Sequence, residues 1–405
     1  MLNLDHKKRY LLACSYGPDS MALFSLLLEE GYDFDVAHVN YHLREESNAE
    51  TEGLKHYCEK NNRKLFVLDV KENISRNIEA KCREIRYKYF ADLYHQNKYD
   101  AVLVAHNEDD HIETYLLQKK RKNLPLFYGI KEKTVINGVV ILRPLLTYEK
   151  ASLLKYCNDH NVPYSIDSTN LETSFERNKI RINIVSGLSY RERNEIIKQI
   201  DIENKLLENL ISNISSISNN IENVLSLNDT EFCYFLNVKL QKIGCFKAIT
   251  YKQSLEVRKL LQSKKANIIL AINKDFYLEK SYDVLLFKRF ADYHGYSFII
   301  DKPSKFDNEF FFADFITDAS NRNVHESDYP LIIRNANKND VYQIKNYLVK
   351  VNRLFIDWKM PLSIRNRWPV IVNKDGKIIY IPRYKKDFVP NIDTNFYVKE
   401  CFTFQ

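Results

Sequence analysis

Within six residues, Ser15-Tyr16-Gly17-Pro18-Asp19-Ser20 gathers two serine hydroxyls, a tyrosine, a glycine, a proline and a carboxylate. The apolar run Tyr10–Cys14 before it reads as a buried strand, and Met21, Leu23, Phe24, Leu27 and Leu28 after it follow a helical period. Such a junction aims free backbone N–H groups and the positive end of a helix at one spot, which suits a phosphate group. Gly17 is expected to supply a backbone conformation that side chains oppose, and Pro18 to open the helix. Ser15 and Ser20 add hydroxyl donors. Asp19 would repel phosphate unless a metal ion lay between them. The stretch reads as a pyrophosphate cradle with a magnesium ligand, or else as a strand-to-helix turn capped by Asp and Ser.

A second group is His106-Asn107-Glu108-Asp109-Asp110-His111-Ile112-Glu113-Thr114. Asp109 and Glu113 are four apart and Asp110 and Glu113 three apart, so the carboxylates gather near one helix N-terminus. Acids there are common dipole partners. Three of them with a histidine, opposite a phosphate cradle, can also hold magnesium, or bind and deprotonate an amine. A third group is basic. Glu79, Arg83, Arg86 and Phe90 share one helical face, and Arg177 and Arg181 follow a turn near Asp167-Ser168-Thr169-Asn170. Guanidinium forks match phosphate oxygens, whereas the bland reading is surface ion pairs. His38 and Asn40 close a further strand, where a purine could lie; an interior histidine is the other reading of His38.

These groups need a scaffold, and the chain from Arg9 to about Leu188 supplies one. Strand-like runs at Phe34–Val39, Lys64–Val70, Ala101–Ala105 and Val139–Leu142 alternate with helical patterns at Ser47–Asn62, Ile78–Gln96, Glu108–Lys120 and Tyr148–His160. The alternation predicts an α/β fold, a parallel sheet with helices on both faces, with ligands beyond the carboxyl ends of the strands. Residues 189–230 read as glycine-free helices, Ser254–Leu261 as a helix and Asn267–Phe287 as a strand pair. The predicted organisation is a catalytic domain over 1–188, a mainly helical middle domain over 189–295, a linker over 295–325, and a small α+β C-terminal domain over 326–405.

Composition sets the outer limits. The 405 residues exceed one usual domain, and 45% hydrophobic content is enough for a real core. No stretch approaches the ~20 apolar residues of a membrane span, and the start lacks a signal-peptide pattern, so no membrane and a cytoplasmic location are expected. The seven cysteines are scattered, with no Cys-x-x-Cys pair, which argues for reduced thiols. The net charge is +7, but residues 343–386 carry eleven Lys/Arg against two acids. There Lys359, Arg365 and Arg367 stand among Trp358, Trp368 and Tyr380, a mixture that can hold RNA through phosphates and stacking. The alternative is a small structural domain whose tryptophans are core.

Together these motifs resemble the N-type ATP pyrophosphatases of the PP-loop class and, within them, the tRNA(Ile)-lysidine synthetases. The resemblance runs through Ser15-Tyr16-Gly17-Pro18-Asp19-Ser20, His38-Val39-Asn40-Tyr41-His42-Leu43-Arg44 and Glu79-Ala80-x-x-Arg83-Glu84-x-Arg86-Tyr87. It continues in Ala105-His106-x-x-Asp109-Asp110-x-x-Glu113-Thr114, Arg143-Pro144-Leu145 and Asp167-x-x-Asn170. It closes in Phe175-x-Arg177-Asn178-x-Ile180-Arg181, and it covers about residues 8–185. The resemblance implies an adenine-nucleotide alpha-hydrolase-like fold. It implies ATP and Mg²⁺ as co-substrate and cofactor, with L-lysine and a CAU-anticodon tRNA(Ile) as partners; a homodimer is compatible with it.

By the same resemblance, Ser15, Tyr16, Gly17, Pro18, Asp19, Ser20, His38, Asn40 and His106 would bind the nucleotide. Asp19 and Asp109 would hold the metal, and Asp109, Asp110 and Glu113 would bind the lysine ammonium. Arg83 and Arg177 would neutralise charge in adenylate transfer, beside Asp19 and Asp109 as catalytic groups. Other readings are a cytidine thiolase, an amidotransferase-type synthetase, or an RNA-binding relative that has lost catalysis. Two departures from the pattern stand out. Tyr16 replaces a glycine of the cradle, which is expected to require a negative φ and a ring turned away or stacked. Asn107 and Glu108 replace residues that are often His and Leu in the family.

Overall fold

The computed structural model describes residues 2–43, 45–71, 78–136, 138–166, 176–290, 295–308, 310–316, 324–384 and 396–399, without the side chains of Glu79, Glu176, Arg177 and Asn178. The chain forms two compact units, Met1–Asn209 and Leu210–Gln405.

The first unit is built on β1 (Arg9–Ala13), β2 (Asp33–Asn40), β3 (Leu65–Asp69), β4 (Ala101–Val104), β5 (Lys133–Ile136) and β6 (Val139–Leu142), in the sheet order β3-β2-β1-β4-β6-β5. All neighbours are parallel except the hairpin pair β5–β6. The helices are α1 (Pro18–Glu29), α2 (Ser47–Lys60), α3 (Ile78–Asn97), α4 (Glu108–Lys120), α5 (Lys150–Asp159) and α6 (Glu176–Asn183). The expected parallel sheet is present. The antiparallel edge strand β5 was not anticipated, because Lys133-Thr134-Val135-Ile136 is too short and too polar at its start to stand out.

Strand alternation decides which side chains meet which helix. Tyr10, Leu12, Phe34 and Val36 point to one face and pack with Phe24, Leu54 and Leu153, from α1, α2 and α5. Leu11, Ala37, Val102 and Ile141 point to the other and pack with Tyr87, Phe90 and Leu93 of α3. Burial on both faces is why these strands read as continuous apolar runs. β1 lies between β2 and β4, so the chain reverses direction across the sheet there, and the carboxyl ends of β1 and β4 open a crevice.

The second unit carries α8 (Ile221–Ser226), α9 (Asp229–Lys242) and α10 (Tyr251–Gln262), following the long α7 (Tyr190–Ser215) that begins in the first unit. Next comes a three-stranded antiparallel sheet, β7 (Asn267–Ala271), β8 (Phe276–Ser281) and β9 (Val284–Arg289), where a strand pair was expected. The expected linker over 295–325 is corrected. It contains β10 (Ser297–Ile300), β11 (Lys305–Asp307) and β12 (Phe311–Asp314). β10 pairs with β13 (Leu331–Asn335) in a sheet completed by β14 (Val341–Ile344), β15 (Tyr347–Lys350), β16 (Pro369–Val372) and β17 (Ile378–Tyr380). β12 pairs with β18 (Phe396–Val398). Polar residues between short apolar runs read as linker, but Phe298, Phe306 and Phe311 are packed into this core. Two short helices, α11 (Val351–Asp357) and α12 (Leu362–Arg365), complete the unit.

Candidate active site

The crevice begins with the turn from β1 into α1. Pro18 occupies the first helical turn and Gly17 is the N-cap, with no side-chain cap, so the first N–H groups of α1 have no capping side chain. At the other end, Gly31, with φ of +74°, takes the left-handed step that closes α1, and Tyr32 N–H donates to the Leu27 carbonyl at 3.0 Å. Ser20 ties the turn together. Its hydroxyl donates to the Gly17 carbonyl at 3.0 Å and accepts from the Ser15 N–H at 3.2 Å.

Two expectations about this turn are corrected together. Gly17 has φ of −78°, open to any residue, and a Cβ there would meet only Ser15 Oγ at 3.4 Å. The left-handed conformation falls on Tyr16, with φ of 64°. Its ring turns to α2, where a Cβ on Gly53 would lie 2.5 Å from the Tyr16 hydroxyl. A glycine inside a helix thus makes room for the tyrosine of the cradle.

A cavity of about 220 Å³ opens beside the turn, lined by Ser15, Asp19 and Ser20, by Ala37, Val39 and Tyr41, by Arg86, Tyr87 and Phe90, and by His106. Strand parity explains which β2 residues reach it. His38 and Asn40, expected to bind the nucleotide, fall on the opposite face from Ala37 and Val39. The His38 ring is buried, with Nδ1 2.9 Å from the Cys14 carbonyl and Nε2 3.0 Å from Thr51 Oγ1, and burial pushes its pKa down. Asn40 is also buried; its amide donates to Asn48 Oδ1 at 3.0 Å and its Oδ1 accepts from the His42 N–H. Both side chains organise the protein around the site. Arg83 is exposed and lies over the Tyr87 ring at 4.8 Å, with Arg86 over the same ring at 5.9 Å.

Asp19 is the electrostatic focus. Its Oδ1 is buried with no hydrogen-bond partner among the described residues. Burial pushes its carboxyl up from the ordinary range and the nearby Asp110 adds to that, while Lys150, the Asn107 side chain and Arg181 oppose it. An orphaned buried carboxylate oxygen with a second carboxylate close by and an anion-binding helix end beside it fits a divalent cation shared with phosphate.

The other carboxylates are already engaged. Asp109 is buried; both its oxygens accept from Arg193, at 2.9 and 3.3 Å, and its Oδ1 also accepts from the Lys150 N–H that starts α5. Asp109, expected as a metal ligand, thus has both oxygens engaged by a guanidinium. Glu113 is fully buried and held by Arg181 through both oxygens. Arg181 Nη2 also donates to Asp110 Oδ1 at 3.2 Å. The second departure from the family pattern has a local reason. Asn107 caps α4: its Oδ1 accepts from the Asp110 N–H at 3.1 Å, while Asp110 Oδ2 accepts from the Asn107 N–H. Arg193 and Lys150 were missed in the sequence, because each sits in an ordinary-looking helix start far along the chain. The expectations for Asp167, Asn170, Phe175 and the Arg177 side chain lie outside the described residues.

In the second unit the basic stretch divides. Lys359 is exposed and Arg367 half-buried. Arg365, expected to contact RNA, is buried, donating from Nε to the Met360 carbonyl at 2.9 Å and from Nη2 to the Tyr282 hydroxyl at 3.4 Å. Trp368 is likewise core: it is fully buried and its indole N–H donates to the Pro382 carbonyl at 2.7 Å. Those two belong to the fold and not to an RNA-facing surface. Among the described residues no helix is long and apolar enough to cross a membrane.

Comparison with known proteins agrees with this geometry. The PP-loop domain family ATP_bind_3 matches residues 1–188. A protein of Mycoplasma mycoides subsp. mycoides named tRNA(Ile)-lysidine synthase is 30% identical, with 96% of this chain and 100% of the relative aligned. One of the same name from Ureaplasma parvum serovar 3 is 38% identical over 47% of this chain and 59% of its own length. Another from Mesoplasma florum is 32% identical over 66% of each. By the near-complete alignment and the PP-loop match, the chain belongs to the tRNA(Ile)-lysidine synthase family.

Proposed function

We propose that this protein is an ATP-dependent ligase that joins L-lysine to C2 of the wobble cytidine in a CAU-anticodon tRNA(Ile), changing the codon read from AUG to AUA. Oxygen at cytosine C2 is a poor leaving group. It first attacks the α-phosphorus of ATP, forming an adenylated cytidine as the bond to pyrophosphate breaks. The lysine amine, having lost a proton, then attacks C2 and expels AMP. A free amine of this type has a pKa of about 10.4, so a site that binds the ammonium and removes its proton is needed.

The observation that carries the reading is the buried, unpartnered Oδ1 of Asp19 beside the anion-binding start of α1. Ser15, Gly17 and Ser20 would hold the polyphosphate through hydroxyls and backbone, and Asp19, with Asp110, would hold Mg²⁺. A bound Mg²⁺ would neutralise phosphate charge as pyrophosphate leaves. Of the carboxylates proposed for the lysine ammonium, Asp110 is close enough for its charge to act on Asp19. Asp109 and Glu113 hold the α4 end in place through Arg193 and Arg181. Arg83 and Arg177 are proposed to offset charge in adenylate transfer, and Lys359 and Arg367 to meet tRNA phosphates. Such a reaction places the protein in the cytoplasm. The test is product stoichiometry: with tRNA and lysine both present AMP and pyrophosphate should appear in equal amounts, whereas without lysine pyrophosphate should be released only up to the amount of tRNA adenylated and AMP not at all. Steady AMP release without tRNA would refute it.

A further inference from the structure

We infer that Arg143 is a positioning residue that holds His106 in its Nε2–H form, so that the ring offers the nucleotide a donor and not an acceptor. The inference rests on the reading that the cavity takes ATP.

β4 and β6 are parallel neighbours, with Leu103 opposite Leu142, so the residues after each strand come together although 37 positions separate them in sequence. His106 follows β4 and lines the cavity. Arg143 follows β6 and is only 4% exposed. Its Nη1 donates to the Lys131 carbonyl at 2.8 Å and to Thr134 Oγ1 at 3.1 Å, which fixes the guanidinium against the β5–β6 hairpin. Its Nε donates to His106 Nδ1 at 3.1 Å.

The direction of that last bond cannot be reversed. A guanidinium has five N–H donors and no acceptor, and it keeps its proton in proteins. Nδ1 must therefore accept, and the proton of the neutral imidazole sits on Nε2. A proton on Nδ1 would face another N–H across 3.1 Å. The ring shares the cavity wall with Ser15, Asp19 and Ser20. A donor belongs beside phosphate oxygens, whereas a bare ring nitrogen would repel them. The family's histidine and the arginine of its Arg-Pro-Leu segment thus act as one unit.

The experiment is long-range ¹H–¹⁵N spectroscopy on the full chain labelled in its ten histidines, with His106 assigned by His106→Gln. The wild-type His106 ring should show the Nε2–H pattern alone. Arg143→Met should give a mixture of tautomers and raise the ATP KM roughly tenfold, the scale of one hydrogen bond to a charged group. Arg143→Lys, which restores a cationic donor, should recover most of both. Adding Arg143→Met to His106→Gln should cost nothing further. A wild-type ring protonated on Nδ1 overturns the inference whether or not any variant folds. So does an Arg143→Met protein, folded by hydrogen exchange, that keeps the wild-type tautomer and KM. Failure of the ATP reading would be seen separately, as wild type that binds no ATP while its tautomer remains readable.

Discussion

Gly53→Ala is a sharp test of how the cradle accommodates its tyrosine. Alanine inside a helix is ordinarily more stable than glycine by about 1 kcal/mol. Here its Cβ would lie 2.5 Å from the Tyr16 hydroxyl, 2.7 Å from Cζ and 3.1 Å from Cε1, so the ring or α2 must move. Overpacking of this kind typically costs about 1–3 kcal/mol, enough to cancel or reverse the helical gain. Tyr16→Gly removes the ring and the left-handed tyrosine, a conformation that costs a non-glycine residue roughly 1–2 kcal/mol. In that background Gly53→Ala should recover its full stabilising value. The two substitutions should therefore couple by about 1–3 kcal/mol, well above the usual additivity error. Both tryptophans, Trp358 and Trp368, lie in the second unit, so their fluorescence would not report on this site. Hydrogen exchange of amides in β1, β2 and α2 reads it directly, and Tyr16→Gly should leave the ATP KM nearly unchanged. A coupling below about 0.5 kcal/mol would show that the ring does not rest on Gly53. A large fall in kcat for Tyr16→Gly would show that the ring serves the reaction itself.

Three further outcomes are expected. Asp19 has a raised carboxyl, so its contribution to stability is present below the unfolded value and lost as pH rises through the folded one. At neutral pH Asp19→Asn should therefore leave Tm equal or higher, while abolishing AMP formation and the thermal protection given by magnesium with ATP; a lower Tm would contradict this. Arg193→Ala leaves the Asp109 carboxylate buried without its bidentate partner and should destabilise the first unit by about 3–5 kcal/mol, measured by hydrogen exchange in α4. Replacing Lys359 and Arg367 by Gln should lower the slope of log tRNA affinity against log salt by roughly 0.7–0.9 for each phosphate no longer neutralised, with ATP binding unchanged, whereas Arg365→Gln should act on stability.

The sequence made the frame legible because both of its signals are local. The Tyr10–Cys14 run, Gly17-Pro18 and the apolar period of α1 announce a strand, a turn and a helix within twenty residues. Strand parity was harder to read. His38 and Asn40 look chemical and Ala37 and Val39 do not, yet alternation sends the second pair to the cavity. Long-range partners left no trace at all: nothing near Asp109 announces Arg193, and nothing near Tyr16 announces Gly53. Arg365 and Trp368 read as an RNA-facing pair because their burial depends on strands that form elsewhere, including those of the supposed linker. Composition carries charge, not direction.

The most direct measurement is nucleoside analysis of a CAU-anticodon tRNA(Ile) after incubation with the protein, ATP, magnesium and isotopically labelled L-lysine. The account predicts label in the wobble cytidine, dependent on ATP and abolished in Asp19→Asn. ATP and tRNA binding without transfer of label, or incorporation of sulfur or ammonia in place of lysine, would contradict it.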